Sequence, residues 1–329
     1  MTHPSSVLFQ TGASLPIIPA CEHFAGNEKF IRKASDLQRE SATQFDVTCD
    51  CEDGAPTGQE REHAQMVAKL IQSLAEPKYR MGVRIHDPLH ASCRDDIDVL
   101  MAEAGEKIAY LTIPKPIGHS DAAKTVDYVK QVAQRHGVPV PPIHILIETQ
   151  SALHEVFEIA SIDGLQGLIF GLLDFVSDHQ GAIPASAMRS PVQFSHQLIS
   201  RAKAEIAAAA LRYGLIATHN PCLEIKDPNV AFEDATIARN NYGYLRMYSI
   251  HPSQIDSIVT AMQPQESEIE RAAQILTAAQ QANWGPISHN NEMHDRASYR
   301  FFWDLLQRAY VTGAPIDNDT KELFFKTND

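Results

Sequence analysis

Short apolar runs recur along the chain, and between them lie longer stretches with apolar residues at helical spacing. The runs fall at residues 15–19, 45–51, 81–85, 108–113, 143–147, 165–170, 215–218 and 248–250. Each is aliphatic or β-branched and too short for a helix, which is the mark of a strand buried on both faces. Helical patterns fill the gaps, at 60–74, 95–104, 121–136, 151–161, 195–213 and 232–242. Eight strands alternating with helices predict an α/β fold, a TIM (β/α)8 barrel, with a barrel domain at 1–262. The rest reads differently. Residues 266–282 form a helix rich in Ala, Glu and Gln, 284–294 a loop with Gly, Pro and Asn, and 298–311 another helix. Residues 263–329 are therefore expected to be a C-terminal helical extension, serving as a lid or an oligomer arm.

Active sites of such barrels are built at the C-terminal ends of the strands. The residues leaving each apolar run are Glu52 and Asp53, Arg84, Lys115, Glu148, Asp174, His219 with Asn220, and His251. The sharpest pair is Glu148 and Asp174. Ile143–Ile147 runs directly into Glu148, and Leu165–Phe170 leads through Gly171 to Asp174. Two carboxylates on one rigid edge can hold a hard divalent cation such as Mg2+ through oxygen ligands. The competing reading is that each acid caps the helix that follows. Arg84, inside Val83-Arg84-Ile85, is costly to bury alone, so it either clamps an anion or pairs with Glu52 or Asp53. Lys115 stands between Pro114 and Pro116, held at a strand exit or solvated. Among Asp50, Glu52 and Asp53, two are expected to be structural.

Composition narrows the function classes. A net charge of 28 − 41 = −13 argues against nucleic acid, which needs a basic face. No apolar run is long enough to span a membrane, and the first residues lack a signal-peptide pattern, so a cytoplasmic location is expected. Cys21, Cys49, Cys51, Cys93 and Cys222 are too scattered for a disulfide framework and read as reduced packing residues. His86 and His90 have a spacing of four, but Pro88 between them argues against a zinc helix.

Several of these segments together resemble the citrate lyase β-subunit-like proteins of the HpcH/HpaI aldolase superfamily. Asp50-Cys51-Glu52-Asp53 is similar to their D-L-E-D, and Val83-Arg84-Ile85-His86 to V-R-V-N. Ile147-Glu148-Thr149 matches I-E-T, Phe170-Gly171 with Asp174 matches F-G-x-x-D, and Ile250-His251-Pro252-Ser253-Gln254 matches I-H-P-x-Q. Gly313-Ala314-Pro315-Ile316-Asp317 resembles G-x-M-I-D. The matches run in order over residues 14–317. The resemblance implies a Mg2+-dependent lyase that breaks or makes a carbon–carbon bond in a 3-hydroxyacyl thioester of the citryl, malyl or citramalyl type.

Glu148 and Asp174 would then bind Mg2+, and Arg84 would be catalytic, steadying the oxygen that gains charge. Asp317, on a segment often lent by a neighbouring subunit, would be the catalytic acid/base, against the plainer reading that it caps a helix begun at Asp319 or Thr320. Arg84, Glu52, Asp53, Lys115 and His251 are assigned to substrate binding. The partners implied are a keto acid and an acyl thioester, CoA included, and further copies of the chain as a trimer or hexamer. The chain departs from the pattern at Ala13-Ser14, where an Arg is usual; at Ala20, where a Gly is; at His219, where an Asp is; and at Met247, where a Lys is. Those departures keep two alternatives open: a pyruvate-forming aldolase on a free hydroxy-keto acid, and a non-catalytic metabolite-binding subunit.

Overall fold

The computed structural model describes residues 2–8 and 15–326, so Ala13 and Ser14 lie outside the described residues. The chain divides into two compact units, Pro19–Met262 and Met1–Ile18 together with Gln263–Asp329. In the first, eight parallel strands close into a barrel in chain order. They are β1 (Cys21–Ala25), β2 (Asp46–Asp50), β3 (Met81–Arg84), β4 (Leu111–Ile113), β5 (Ile143–Ile147), β6 (Leu165–Phe170), β7 (Ile216–His219) and β8 (Arg246–Ser249). β8 pairs back onto β1, which removes both edges. The TIM barrel read from the spacing of the runs is what the chain forms.

The first strand is the correction. It was expected at 15–19 and instead lies at Cys21–Ala25. Pro16 and Pro19 lack the N–H that a ladder needs, whereas Glu22 and His23 disguised the true strand by interrupting its apolar run. The expected helix at 151–161 is broken at Glu155 into Gln150–His154 and Val156–Ala160. The helix expected at 232–242 spans Pro228–Ile237 and ends in a π-helical turn over Ala238–Tyr242. All five cysteines are free and buried.

Alternation along the strands separates two cores. Val47, Cys49, Val83, Ile113 and Ile145 face the surrounding helices in the main apolar cluster. Asp46, Thr48 and Asp50, their neighbours on β2, therefore point into the barrel. The interior is stratified. At its lower end Arg246 donates to Glu22 (2.6 and 3.1 Å) and to Asp46 (2.8 Å), and Arg80 donates to the other oxygen of Asp46 (3.0 Å). The Arg246 guanidinium lies over Tyr110, which stacks on His144. Burial, helped by the Arg246 charge, pushes His144 down to about 3, so its ring is neutral. Above this layer Phe24, Leu146, Ile169 and Tyr248 form a small separate apolar cluster. Asp50, Arg84 and Glu148 follow at the C-terminal end.

The second unit is built on Glu266–Gln281, Arg296–Val311 and Asn318–Phe324, packed around Ile275, Leu276, Trp303 and Leu306. The expected 284–294 loop holds an antiparallel hairpin, β9 (Ile287–His289) with β10 (Glu292–His294). Asn290 and Asn291 both adopt positive φ (49° and 65°), the conformation that a two-residue type I′ turn needs and that Asn tolerates. The N-terminal segment belongs here rather than with the barrel. Leu8 joins this core, and Gln280 and Trp284 both donate to the Thr2 carbonyl at 3.1 Å. Among the described residues no helix is long and apolar enough to cross a membrane.

Candidate active site

The C-terminal ends of β2, β3, β5 and β6 bring together most of the residues singled out in the sequence. Arg84 and Asp50 are register partners on β3 and β2. Arg84 donates Nε–H to Asp50 Oδ1 (2.8 Å) and Nη2–H to Oδ2 (2.6 Å), a two-pronged grip. Its Nη1 lies 3.1 Å from Glu52 Oε2. The sequence offered Glu52 or Asp53 as partners. Glu52 is one, but the principal partner is Asp50, because only a strand residue is placed in register with Arg84. Asp50 also accepts the backbone N–H groups of Glu52 and Gly54. Burial opposes its charge, yet the Arg84 charge and these bonds outweigh burial and hold its carboxyl below the usual range.

Lys115 follows β4 with a left-handed backbone (φ 47°), a conformation that costs a non-glycine residue about 1–3 kcal/mol and must be imposed by its surroundings. It places the Lys115 N–H against Glu148 Oε1 (3.2 Å) and sends Nζ to Glu52 (2.5 Å) and Asp53 (2.6 Å), with Asp174 at 3.5 Å. Lys115 is thus neither free nor merely solvated: it pins three acids. Burial disfavours its charge, but bonds to Asp53 and Glu52 more than compensate and raise its pKa.

Glu148 is 1% exposed. Burial, and then the nearby Asp174 charge, push its carboxyl well above the ordinary value. A Cβ at Gly171 would stand 2.3 Å from the Glu148 carboxylate, so the chain after β6 can pass only as glycine. Asp174 sits in the first turn of Leu172–Asp178, close to Glu148 and more exposed. Together these elements place two cations among five carboxylates, 2 − 5 = −3 if all are ionised.

This imbalance tests whether a metal suits the site. Glu148 is buried, faces a second carboxylate, and has its ionised form disfavoured by both facts. Bringing a hard dication between Glu148 and Asp174 would relieve both, and two carboxylate oxygens are the right donors for it. The residues fit. Among the described residues no group of three or more His, Cys, Asp or Glu makes a complete protein cage, so the remaining ligands would be oxygens of water or substrate.

Other expected residues lie elsewhere in the network. His251 follows β8 and caps the Pro252–Gln254 turn, its Nδ1 2.8 Å from Ser253 Oγ. His219 and Asn220 are buried with Lys203, whose Nζ lies 2.5 Å from each. Met247 is fully buried among the helices, not in the barrel interior. His86 is held by Asp96 (2.7 Å) and stacks on His90. Asp317 belongs to the C-terminal unit, where it accepts the Thr320 N–H at 2.8 Å and caps Asn318–Phe324. That bond, and the Thr320 hydroxyl, lower its pKa. No sequence signal pointed to Phe24, whose ring carries the Arg84 guanidinium at 5.3 Å; a strand read in the wrong place could not reveal it.

The profile of the HpcH/HpaI aldolase/citrate lyase family matches residues 33–236, more than half of the chain. A citrate lyase from Burkholderia xenovorans LB400 superposes with a TM-score of 0.85 and 45% identity, over 98% of this chain and 100% of that one. CitE from Mycobacterium tuberculosis, in complex with magnesium, acetoacetate and coenzyme A, shares the fold at a TM-score of 0.66 and 20% identity, covering 89% of this chain and 98% of its own. The malyl-CoA/β-methylmalyl-CoA/citramalyl-CoA lyase of Chloroflexus aurantiacus is 24% identical over 79% of this chain and 80% of its own.

Proposed function

The chain belongs to the HpcH/HpaI aldolase/citrate lyase family, and from that premise we propose that it is a Mg2+-dependent carbon–carbon lyase acting on a 3-hydroxyacyl thioester. The observation that carries the reading is the unbalanced acid cluster: Glu148, buried with its carboxyl pushed above the ordinary value, beside Asp174 and near a rigidly held Arg84. The similarity to a lyase of malyl- and citramalyl-CoA supports the substrate class, and the magnesium, acetoacetate and coenzyme A held by CitE support the cofactor and partners.

Glu148 and Asp174 would hold the metal. When bound, Mg2+ supplies Lewis acidity toward the oxygens of the keto-acid half. Arg84 is oriented by Asp50 and Glu52 before substrate arrives, so no reorganisation is needed when charge develops on an oxygen beside it. Lys115 keeps Glu52 and Asp53 in place, and with His251 lines the approach. In the cleavage direction a base takes the 3-hydroxyl proton and the bond between C2 and C3 breaks. The keto acid forms from C3, and the electron pair passes to the thioester as its enolate, which then takes a proton on carbon. Asp317, on a segment lent by a neighbouring copy of the chain, is the proposed proton carrier. Self-association would follow the family in trimers or hexamers.

The test is titration of Mg2+ by calorimetry, with and without oxaloacetate or pyruvate, alongside an assay of malyl-, citramalyl- and citryl-CoA cleavage. Metal-dependent keto-acid binding with thioester cleavage, both lost in Glu148→Gln/Asp174→Asn, is the expected result. Cleavage of a free hydroxy-keto acid without CoA would move the reading to an aldolase. Binding without turnover of any of these would leave a metabolite-binding subunit.

A further inference from the structure

Two hydroxyls inside the barrel are unexplained by packing. Tyr248, on β8, is 5% exposed, and Thr112, on β4, is fully buried; neither hydroxyl has a hydrogen-bond partner. Both point inward. Arg246, two residues before Tyr248, reaches into the barrel to Glu22, and Leu111 and Ile113, on either side of Thr112, face the helices. Bulky branched aliphatics are the usual filling at such positions. An unsatisfied buried hydroxyl costs about 1–3 kcal/mol, so two of them in one layer call for a partner that the protein itself does not supply.

Their placement indicates the partner. Thr112 is the register partner of Arg84. The Tyr248 ring packs on Phe24 at 4.1 Å, and Phe24 carries the Arg84 guanidinium, so ring, ring and cation form one column. The Tyr248 ring therefore belongs to the column of side chains that leads to Arg84. Burial, foremost, keeps the phenol protonated, and it is therefore a donor.

We propose that the inward hydroxyls of Tyr248 and Thr112 form the floor of the substrate pocket and that Tyr248 donates a hydrogen bond to an oxygen of a 2-oxo acid seated against Arg84. Tyr248 then selects ligands that carry an oxygen at that end and rejects those that present an alkyl group, because only an oxygen satisfies the buried donor. The inference rests on the proposed lyase reading for its ligand class.

The experiment is calorimetric titration of pyruvate and of oxaloacetate, in saturating Mg2+, into wild type, Tyr248→Phe and Thr112→Val, with melting temperatures taken without ligand. Each substitution removes a hydroxyl and little else. Expected are about tenfold weaker 2-oxo acid binding in Tyr248→Phe and about threefold in Thr112→Val. Mg2+ binding should be unchanged, and the ligand-free melting temperature of neither variant should fall. Unchanged 2-oxo acid affinity in both variants would overturn the proposal. So would a fall in ligand-free melting temperature without loss of affinity, which would mark the hydroxyls as structural. Failure of the wild type to bind either acid would overturn it too. A wild type that binds 2-oxo acids through Tyr248 but cleaves no thioester would overturn the lyase reading alone.

Discussion

The two ends of the barrel interior use the same motif, an arginine gripping two acids on neighbouring strands, to opposite ends. At the lower end Arg246 joins Glu22 and Asp46, and Arg80 completes a set of two cations and two carboxylates with no net charge. At the upper end Arg84 joins Asp50 and Glu52, Lys115 adds a second cation, and three further carboxylates remain. In the balanced cluster every charge has a counter-charge within the protein, although burial still raises the Glu22 carboxyl above its ordinary value. An unbalanced one is held at a cost by the fold and is relieved by a cation from outside. The difference between scaffold and site lies in the sum of charges around the arginine, not in the arginine.

The comparison breaks most sharply if the lower cluster is opened. Arg246→Met leaves Glu22 buried without a cation and Asp46 with Arg80 alone, and should cost about 3–5 kcal/mol of stability, read from denaturant midpoints. A loss below about 1 kcal/mol would mean that the lower cluster is as adaptable as the upper. At the upper end, Glu148→Gln should act the other way. It removes a carboxyl whose ionisation burial and Asp174 disfavour, so the metal-free protein should become more stable by about 1 kcal/mol or more near neutral pH, while Mg2+ binding and activity are lost. A variant less stable than wild type in the absence of metal would sink the idea that this end is strained by excess negative charge.

The pH dependence sharpens the same point. The folded pKa of Glu148 lies above its unfolded value of about 4.5, so between the two the native state holds a proton that the unfolded state has lost. Stability of the metal-free protein therefore falls as pH rises through that window. Because the metal needs the ionised carboxylate, Mg2+ affinity should rise with pH and binding should release protons, measurable as buffer-dependent heats. Heats independent of buffer would show that Glu148 is already ionised. The smallest effect is expected at Lys115. Lys115→Met removes one of only two upper cations and should lower metal-free stability by about 1 kcal/mol, with Mg2+ recovering part of it in thermal melts.

How much of this was legible in advance varies with the kind of signal. Glu148 and Asp174 follow two short apolar runs, and those runs became β5 and β6 with the ends the sequence indicated. Arg84 stood out because a charge within an apolar strand needs a partner. Its principal partner, Asp50, is only one of three acids the sequence offers there, two of them expected to be structural, since which residue of a neighbouring strand lies alongside is a matter of register, and register is decided only when the barrel closes. β1 was misplaced because a strand whose inward residues are ionic does not look apolar. Glu22 is tolerable there solely because Arg246, more than two hundred residues later, reaches it.

The chain by itself determined the barrel, the order of its strands, and the identity of the acids and the arginine at their ends, because periodicity and burial cost are local properties. Only the tertiary structure decided which of those charges cancel. It put Arg246 and Arg80 with two acids and left Arg84 and Lys115 with five. It laid Tyr248 and Thr112 under them with unanswered hydroxyls, and it gave Asp317 to the C-terminal unit as a helix cap. The physical reason is that charge balance and hydrogen-bond satisfaction are sums over neighbours, and neighbours from eight different strands exist only once the barrel has closed.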